Sequence, residues 1–107
     1  MLDRVGMNRK HKGYQYCVYA IYDVLSKNFI CGINEVYRQV AFYKNTSEES
    51  VERSIRYAIE CAWQKGSLDS IDSLFGYTVD KERGKPTNSE FIFLLADHAL
   101  NIIHMDK

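Results

Sequence analysis

Apolar positions recur at helical spacing in a series of segments separated by polar breaks. From Tyr14 to about Lys27, Cys17, Val18, Ile21, Val24 and Leu25 fall on one stripe. Tyr16, Tyr19 and Tyr22 recur beside it and read as core edges whose hydroxyls reach water. Asn28 to Ile33 is a short connector, with Phe29, Ile30 and Ile33 buried and Gly32 allowing the turn. A second helix, about Asn34 to Lys44, turns Val36, Tyr37, Val40, Ala41 and Tyr43 inward, and Asn45 breaks it. The third runs from Thr46 to Lys65 and is the best specified. Thr46 with Glu49 forms a capping box, with Thr46 or Ser47 as the cap, and Gly66 supplies the left-handed stop. Val51, Ile55, Ala58, Ile59 and Ala62 share its inner face, with Trp63 at the edge. Glu49, Arg53, Arg56, Tyr57 and Glu60 lie opposite.

Beyond it, Ser67 caps a short helix from Leu68 to about Phe75, and a polar loop follows from Gly76 to Pro86. Thr87 with Glu90 is a second capping box, placed directly after the only proline. It opens a last helix, Asn88 to about His104, with Phe91, Leu94, Leu95, Ala99, Ile102 and Ile103 on a wide apolar stripe. No β-alternation is long enough to pair into a sheet. The pattern predicts an all-α fold: one compact multi-helix domain, five to six helices over residues 1–107, with 1–12 as a basic arm or the remnant of a first helix. Helix, tight turn, helix around Asn45 is the arrangement of a helix-turn-helix. Its second member, Ser47–Lys65, is the candidate recognition helix.

Composition narrows the function classes. Apolar residues make up 46% and aromatic residues 13% of the chain, as in a folded globular domain. Fourteen basic and fourteen acidic residues cancel, so any nucleic-acid site must come from local charge placement. Two such places occur. Arg4, Arg9, Lys10 and Lys12 face a single Asp3 near the start, with His11 among them, and Lys81, Arg83 and Lys85 alternate along the polar loop. Cys17, Cys31 and Cys61 are odd in number and widely spaced, which argues against disulfides and zinc and suits a reducing, cytoplasmic setting. Neither a membrane-spanning stretch nor a signal peptide is visible.

Enzyme chemistry finds no foothold. There is no glycine-rich phosphate loop, no Gly-x-Ser-x-Gly and no His-Glu-x-x-His. His11, His98 and His104 lack partners at ligand spacing, and Asp69 and Asp72 are explained by the helix dipole. No catalytic residue, metal site or cofactor is expected.

Val51-Glu52-Arg53-Ser54-Ile55-Arg56-Tyr57-Ala58-Ile59-Glu60-Cys61-Ala62-Trp63 resembles the recognition helix of the effector domain of the stage-zero sporulation protein A family. These are the response regulators that commit Firmicutes to endospore formation. The likeness continues through Gly66–Val79, resumes at Lys85-Pro86-Thr87-Asn88-Ser89-Glu90-Phe91-Ile92, and is present upstream at Lys12-Gly13-Tyr14. It covers roughly residues 5 to 100. The resemblance implies a six-helix DNA-binding domain that recognises short promoter boxes on double-stranded DNA and contacts an RNA polymerase sigma subunit. It also implies two copies on tandem sites. Carried over by position, Glu52, Arg53 and Arg56 match residues that face bases, with Arg53 the leading reader. Ser47, Ser50 and Tyr57, with Lys12, Lys81, Arg83 and Lys85 by charge placement, are the expected backbone contacts. A receiver domain, with its phospho-acceptor aspartate, is not expected within this chain.

The chain departs from the family before Val40, where it is one residue shorter and lacks the family's proline, ahead of Val5, where most of the first helix is missing, and on the recognition helix itself. Ser50 stands where the family has an arginine, Glu48 and Glu49 where it has small residues, and Tyr57 where it has a histidine. The tip is about three charges less positive than in relatives, which weakens or alters phosphate attraction. Glu49–Arg53 and Glu52–Arg56 are also i, i+4 pairs in the favourable order. A rival reading follows: a protein-interaction module that retains contacts to a sigma factor or regulator and has lost DNA binding.

Overall fold

The computed structural model describes residues 9–65 and 85–105. Four helices make up the architecture among these residues: α1 (Lys12–Ser26), α2 (Ile33–Lys44), α3 (Glu48–Lys65) and α4 (Asn88–Met105). The expected helix Leu68–Phe75 and the Gly66 stop lie outside the described residues. The all-α expectation holds among the described residues.

α1 packs on each of the other three helices, and α3 also packs on α2 and α4. The shared core holds Cys17, Ala20, Ile21 and Val24 from α1, Val36 and Val40 from α2, Val51, Ile55, Ala58 and Ile59 from α3, and Phe91, Ile92 and Leu95 from α4. Full burial of an Ile such as Ile55 or Ile92 contributes about 1.5–3 kcal/mol. Every position assigned to the inner face of α3 is buried, and Trp63 is half-buried at its edge as its spacing requires.

Several assignments elsewhere are corrected. Val18 and Tyr43 are exposed, and so are Ile102 and Ile103 near the end of α4. On α4 the buried stripe is Phe91, Ile92, Leu95 and Ala96, rotated from the expected set, with Leu94 and Ala99 only half-buried. A periodicity wide enough to suggest two faces leaves the choice to the packing partner. Of the tyrosines on α1, Tyr16 is buried while Tyr19 and Tyr22 reach solvent.

The connector after α1 also differs. Phe29 N–H donates to Val24 O at 3.0 Å and Asn28 N–H to Leu25 O at 3.1 Å, the paired bonds that close a helix through a left-handed residue. Asn28 (φ 53°) and Phe29 (φ 65°) take the left-handed conformation, whereas Gly32 is extended at φ −92°. The turn is therefore made by Asn28 and Phe29, and Ile30 is thrown outward to 82% exposure. Asn reaches that region through local hydrogen bonding; Phe29 is held there by packing against the core.

The same device ends α2. Asn45 is left-handed (φ 53°), Thr46 N–H donates to Ala41 O at 3.0 Å, and Asn45 N–H to Phe42 O at 3.4 Å. Thr46 is thus spent on closing α2. The cap of α3 is Ser47 instead, whose Oγ accepts the Ser50 N–H at 3.0 Å, replacing the expected Thr46–Glu49 box. The box before α4 forms as its sequence indicates. Thr87 N–H donates to Glu90 Oε1 and Glu90 N–H to Thr87 Oγ1, each at 3.1 Å.

Candidate nucleic-acid interface

The outer face of α3 is set by its inner one. With Val51, Ile55 and Ala58 buried, Arg53, Arg56 and Tyr57 must project outward, and all three are exposed. Two clefts flank this face, one on each side.

The first cleft, about 440 Å³, lies where the start of α1 meets α3. Its lining includes Lys10, His11, Lys12, Arg53, Ser54 and Tyr57, and no carboxylate among the described residues. The His11 and Tyr57 rings meet at 5.4 Å between centroids, tilted by 52°, and the enclosed His11 Nδ1 has no hydrogen-bond partner among the described residues. α1 begins here with no side-chain cap from His11 and no acidic residue in its first turn, so neither offsets its positive dipole end. The Tyr57 hydroxyl ionises above its usual range, chiefly because of its hydrogen bond with Cys61, and stays protonated at neutral pH. Gly13 brings the two helices together at this crossing. A Cβ there would collide with the Ser54 carbonyl oxygen and lie 2.6 Å from Ala58 Cβ.

The second cleft, about 360 Å³, is lined among others by Tyr37, Glu52, Arg56, Lys85 and Asn88. Here the cations are paired. Arg56 Nη1 is 3.6 Å from Glu52 Oε1, and Lys85 Nζ is 3.4 Å from Glu60 Oε2. Both pairs are substantially exposed, so each is worth little to stability. The Asn88 amide donates to the Tyr37 hydroxyl and to the Glu52 backbone carbonyl, both at 3.0 Å. Burial pushes the pKa of the Tyr37 phenol above its usual value, and the Asn88 bond offsets part of that rise.

The sequence-derived site residues therefore divide. Arg53, Tyr57 and Lys12 come together on the first cleft, and Arg56, Glu52 and Lys85 on the second. Ser47 and Ser50 stand at the start of α3, joined by the capping bond. Lys81 and Arg83 lie outside the described residues. Of the two i, i+4 pairs, Glu52–Arg56 forms, while among the described residues no ion pair joins Glu49 to Arg53. Arg53 turns toward the α1 side instead. Sequence reasoning missed His11, Gly13, Tyr37 and Asn88 as parts of this surface. The Lys12-Gly13-Tyr14 and Pro86-Thr87-Asn88 segments carried the only signal, through the resemblance.

Among the described residues, no helix is long and apolar enough to cross a membrane, and no group of His, Cys, Asp and Glu is arranged to hold a metal. The family model for the sporulation initiation factor Spo0A C terminal matches residues 1–99, a span that contains α1 to α3 and most of α4. That family is a DNA-binding effector domain of response regulators that control transcription in sporulation. With nearly the whole chain matched, this protein belongs to the Spo0A C-terminal domain family.

Proposed function

We propose that the chain is a sequence-specific DNA-binding transcription regulator of sporulation-type control. In this reading α2, the Asn45–Ser47 turn and α3 form a helix-turn-helix within a domain of five to six helices. The recognition helix, Ser47–Lys65, enters the major groove. Arg53 reads a base, Arg56 and Glu52 act beside it, and Ser47, Ser50, Tyr57, Lys12, Lys81, Arg83 and Lys85 meet the sugar-phosphate backbone. The observation that carries the reading is the placement of Arg53 on an outward helix face beside Lys12 and Tyr57, in a cleft with no carboxylate among the described residues. A base reader needs neighbouring phosphate contacts to fix its register, and this arrangement supplies them. The protein works in the cytoplasm, with a sigma subunit of RNA polymerase as protein partner and two copies on tandem sites.

In vitro selection from a random duplex pool, followed by fluorescence anisotropy over a salt series, tests this. A shared motif among selected duplexes, bound more tightly than scrambled ones, is the expected result. Absence of duplex binding even at low salt would overturn it and favour the protein-interaction module.

A further inference from the structure

We infer that Asn88 is a positioning residue for the reading face of α3. The inference rests on the DNA-binding function proposed above and concerns how that face is held.

Asn88 is the first residue of α4, immediately after Thr87, and the reciprocal Thr87–Glu90 bonds fix the backbone there. A primary amide carries two N–H donors in one plane. In Asn88 one goes to the Tyr37 hydroxyl on α2 and the other to the Glu52 carbonyl on α3, both at 3.0 Å. One side chain therefore ties three helices.

The choice of acceptor on α3 is informative. A mid-helix carbonyl already accepts the N–H four residues on, here that of Arg56, and keeps a second lone pair. Asn88 uses that spare lone pair, so its bond satisfies no orphan group on α3 and adds little to folding. What it does is fix the turn from Glu52 to Arg56. That turn carries Glu52, Arg53 and Arg56, all three candidate base contacts, and base discrimination depends on such groups being held to a fraction of an ångström. The bond lies 36 residues away in sequence on α3 and 51 on α2, so the constraint is tertiary and independent of helix propensity.

Three variants test it: Asn88→Ala, Asn88→Leu, which keeps the approximate shape, removes both donors and adds no charge, and Tyr37→Phe, which leaves the Glu52 bond in place. Anisotropy on a selected and a scrambled duplex gives the preference ratio, and thermal unfolding reports the fold. For Asn88→Leu the ratio should fall about tenfold while affinity for the scrambled duplex changes less than about twofold, as for a register defect and not a lost phosphate contact. Tyr37→Phe should give a smaller fall in the same direction. A preserved ratio, or a parallel loss on both duplexes, overturns the inference. Amide hydrogen exchange provides an arm that does not use DNA. Faster exchange at Arg56 and Tyr57 in Asn88→Ala, with α1 unchanged, supports the positioning role even if the wild-type chain binds no duplex. Unchanged exchange overturns it.

Discussion

Gly13 on α1 lies directly against the Ser54 carbonyl of α3, so close that any side chain at position 13 would overlap it. The contact is between backbone and backbone, which leaves no flexible group to move aside. Gly13→Ala is expected to destabilise the domain by about 1–3 kcal/mol, the usual range for overpacking. Urea unfolding at neutral pH measures it. Because α1 packs on the three other helices among the described residues, the loss should appear as a lower midpoint for one cooperative transition.

The start of α3 offers a discriminating pair of substitutions. Ser47→Ala should cost about 1 kcal/mol through loss of the cap to Ser50 N–H. Thr46→Ala should cost much less, because Thr46 serves α2 through its backbone N–H, which alanine retains. Equal costs in thermal unfolding would contradict the assignment of the cap to Ser47.

On DNA, Arg53→Ala should remove sequence preference worth about 1–3 kcal/mol. Lys81→Ala should instead weaken binding to all sequences alike and reduce the salt slope by about one. Competition titrations with selected and scrambled duplexes separate the two effects.

Glu52 and Glu60 each hold a cation in the free protein. Glu60→Gln frees Lys85 and should raise affinity for any duplex by a few fold, with a steeper dependence on salt, on the order of one more phosphate contact. Glu52→Gln frees Arg56 in the same way but also removes a candidate base contact, so its gain on scrambled duplexes should exceed its gain on selected ones. Anisotropy at two salt concentrations reads both.

Alkaline pH should act through Cys17. Its thiol is fully buried, which pushes its ionisation from 9.0 up to about 12. The folded state holds this proton more tightly than the unfolded chain does. The stabilisation is therefore complete below pH 9 and is lost as pH rises toward about 12. Urea midpoints should fall across that window, and Cys17→Ala should flatten the fall. In the folded protein at pH 8, thiol reagents should reach Cys31 and Cys61, which are partly exposed, well before Cys17.

What was legible in the sequence was what is local. Thr87 and Glu90 are three residues apart, and their box formed as read. The inner face of α3 followed from spacing alone because its apolar stripe is narrow and unambiguous. Where the stripe was wide, as on α4, spacing could not choose between Ile92 and Ile103, since burial there depends on where α1 crosses. Thr46 and Ser47 were both competent caps, and the decision lay in the preceding helix, which had already claimed the Thr46 N–H. The links that build the candidate interface were hidden for a plainer reason. Asn88 meets Tyr37 and Glu52 across long stretches of chain, and Gly13 meets Ser54 the same way, so no window on the sequence contains both partners.

The junction between α2 and α3 has one more implication. Asn45 and Thr46 finish one helix, Ser47 begins the next, and no residue between them is left over. Such a joint behaves as a welded elbow and not as a hinge. Insertion of a single residue there would have to unwind a turn on one side or the other, swinging Arg53 and Arg56 around the axis of α3 by about 100°. Variation in chain length among proteins of this architecture should therefore be absorbed elsewhere, leaving this corner constant in length even where its residues change.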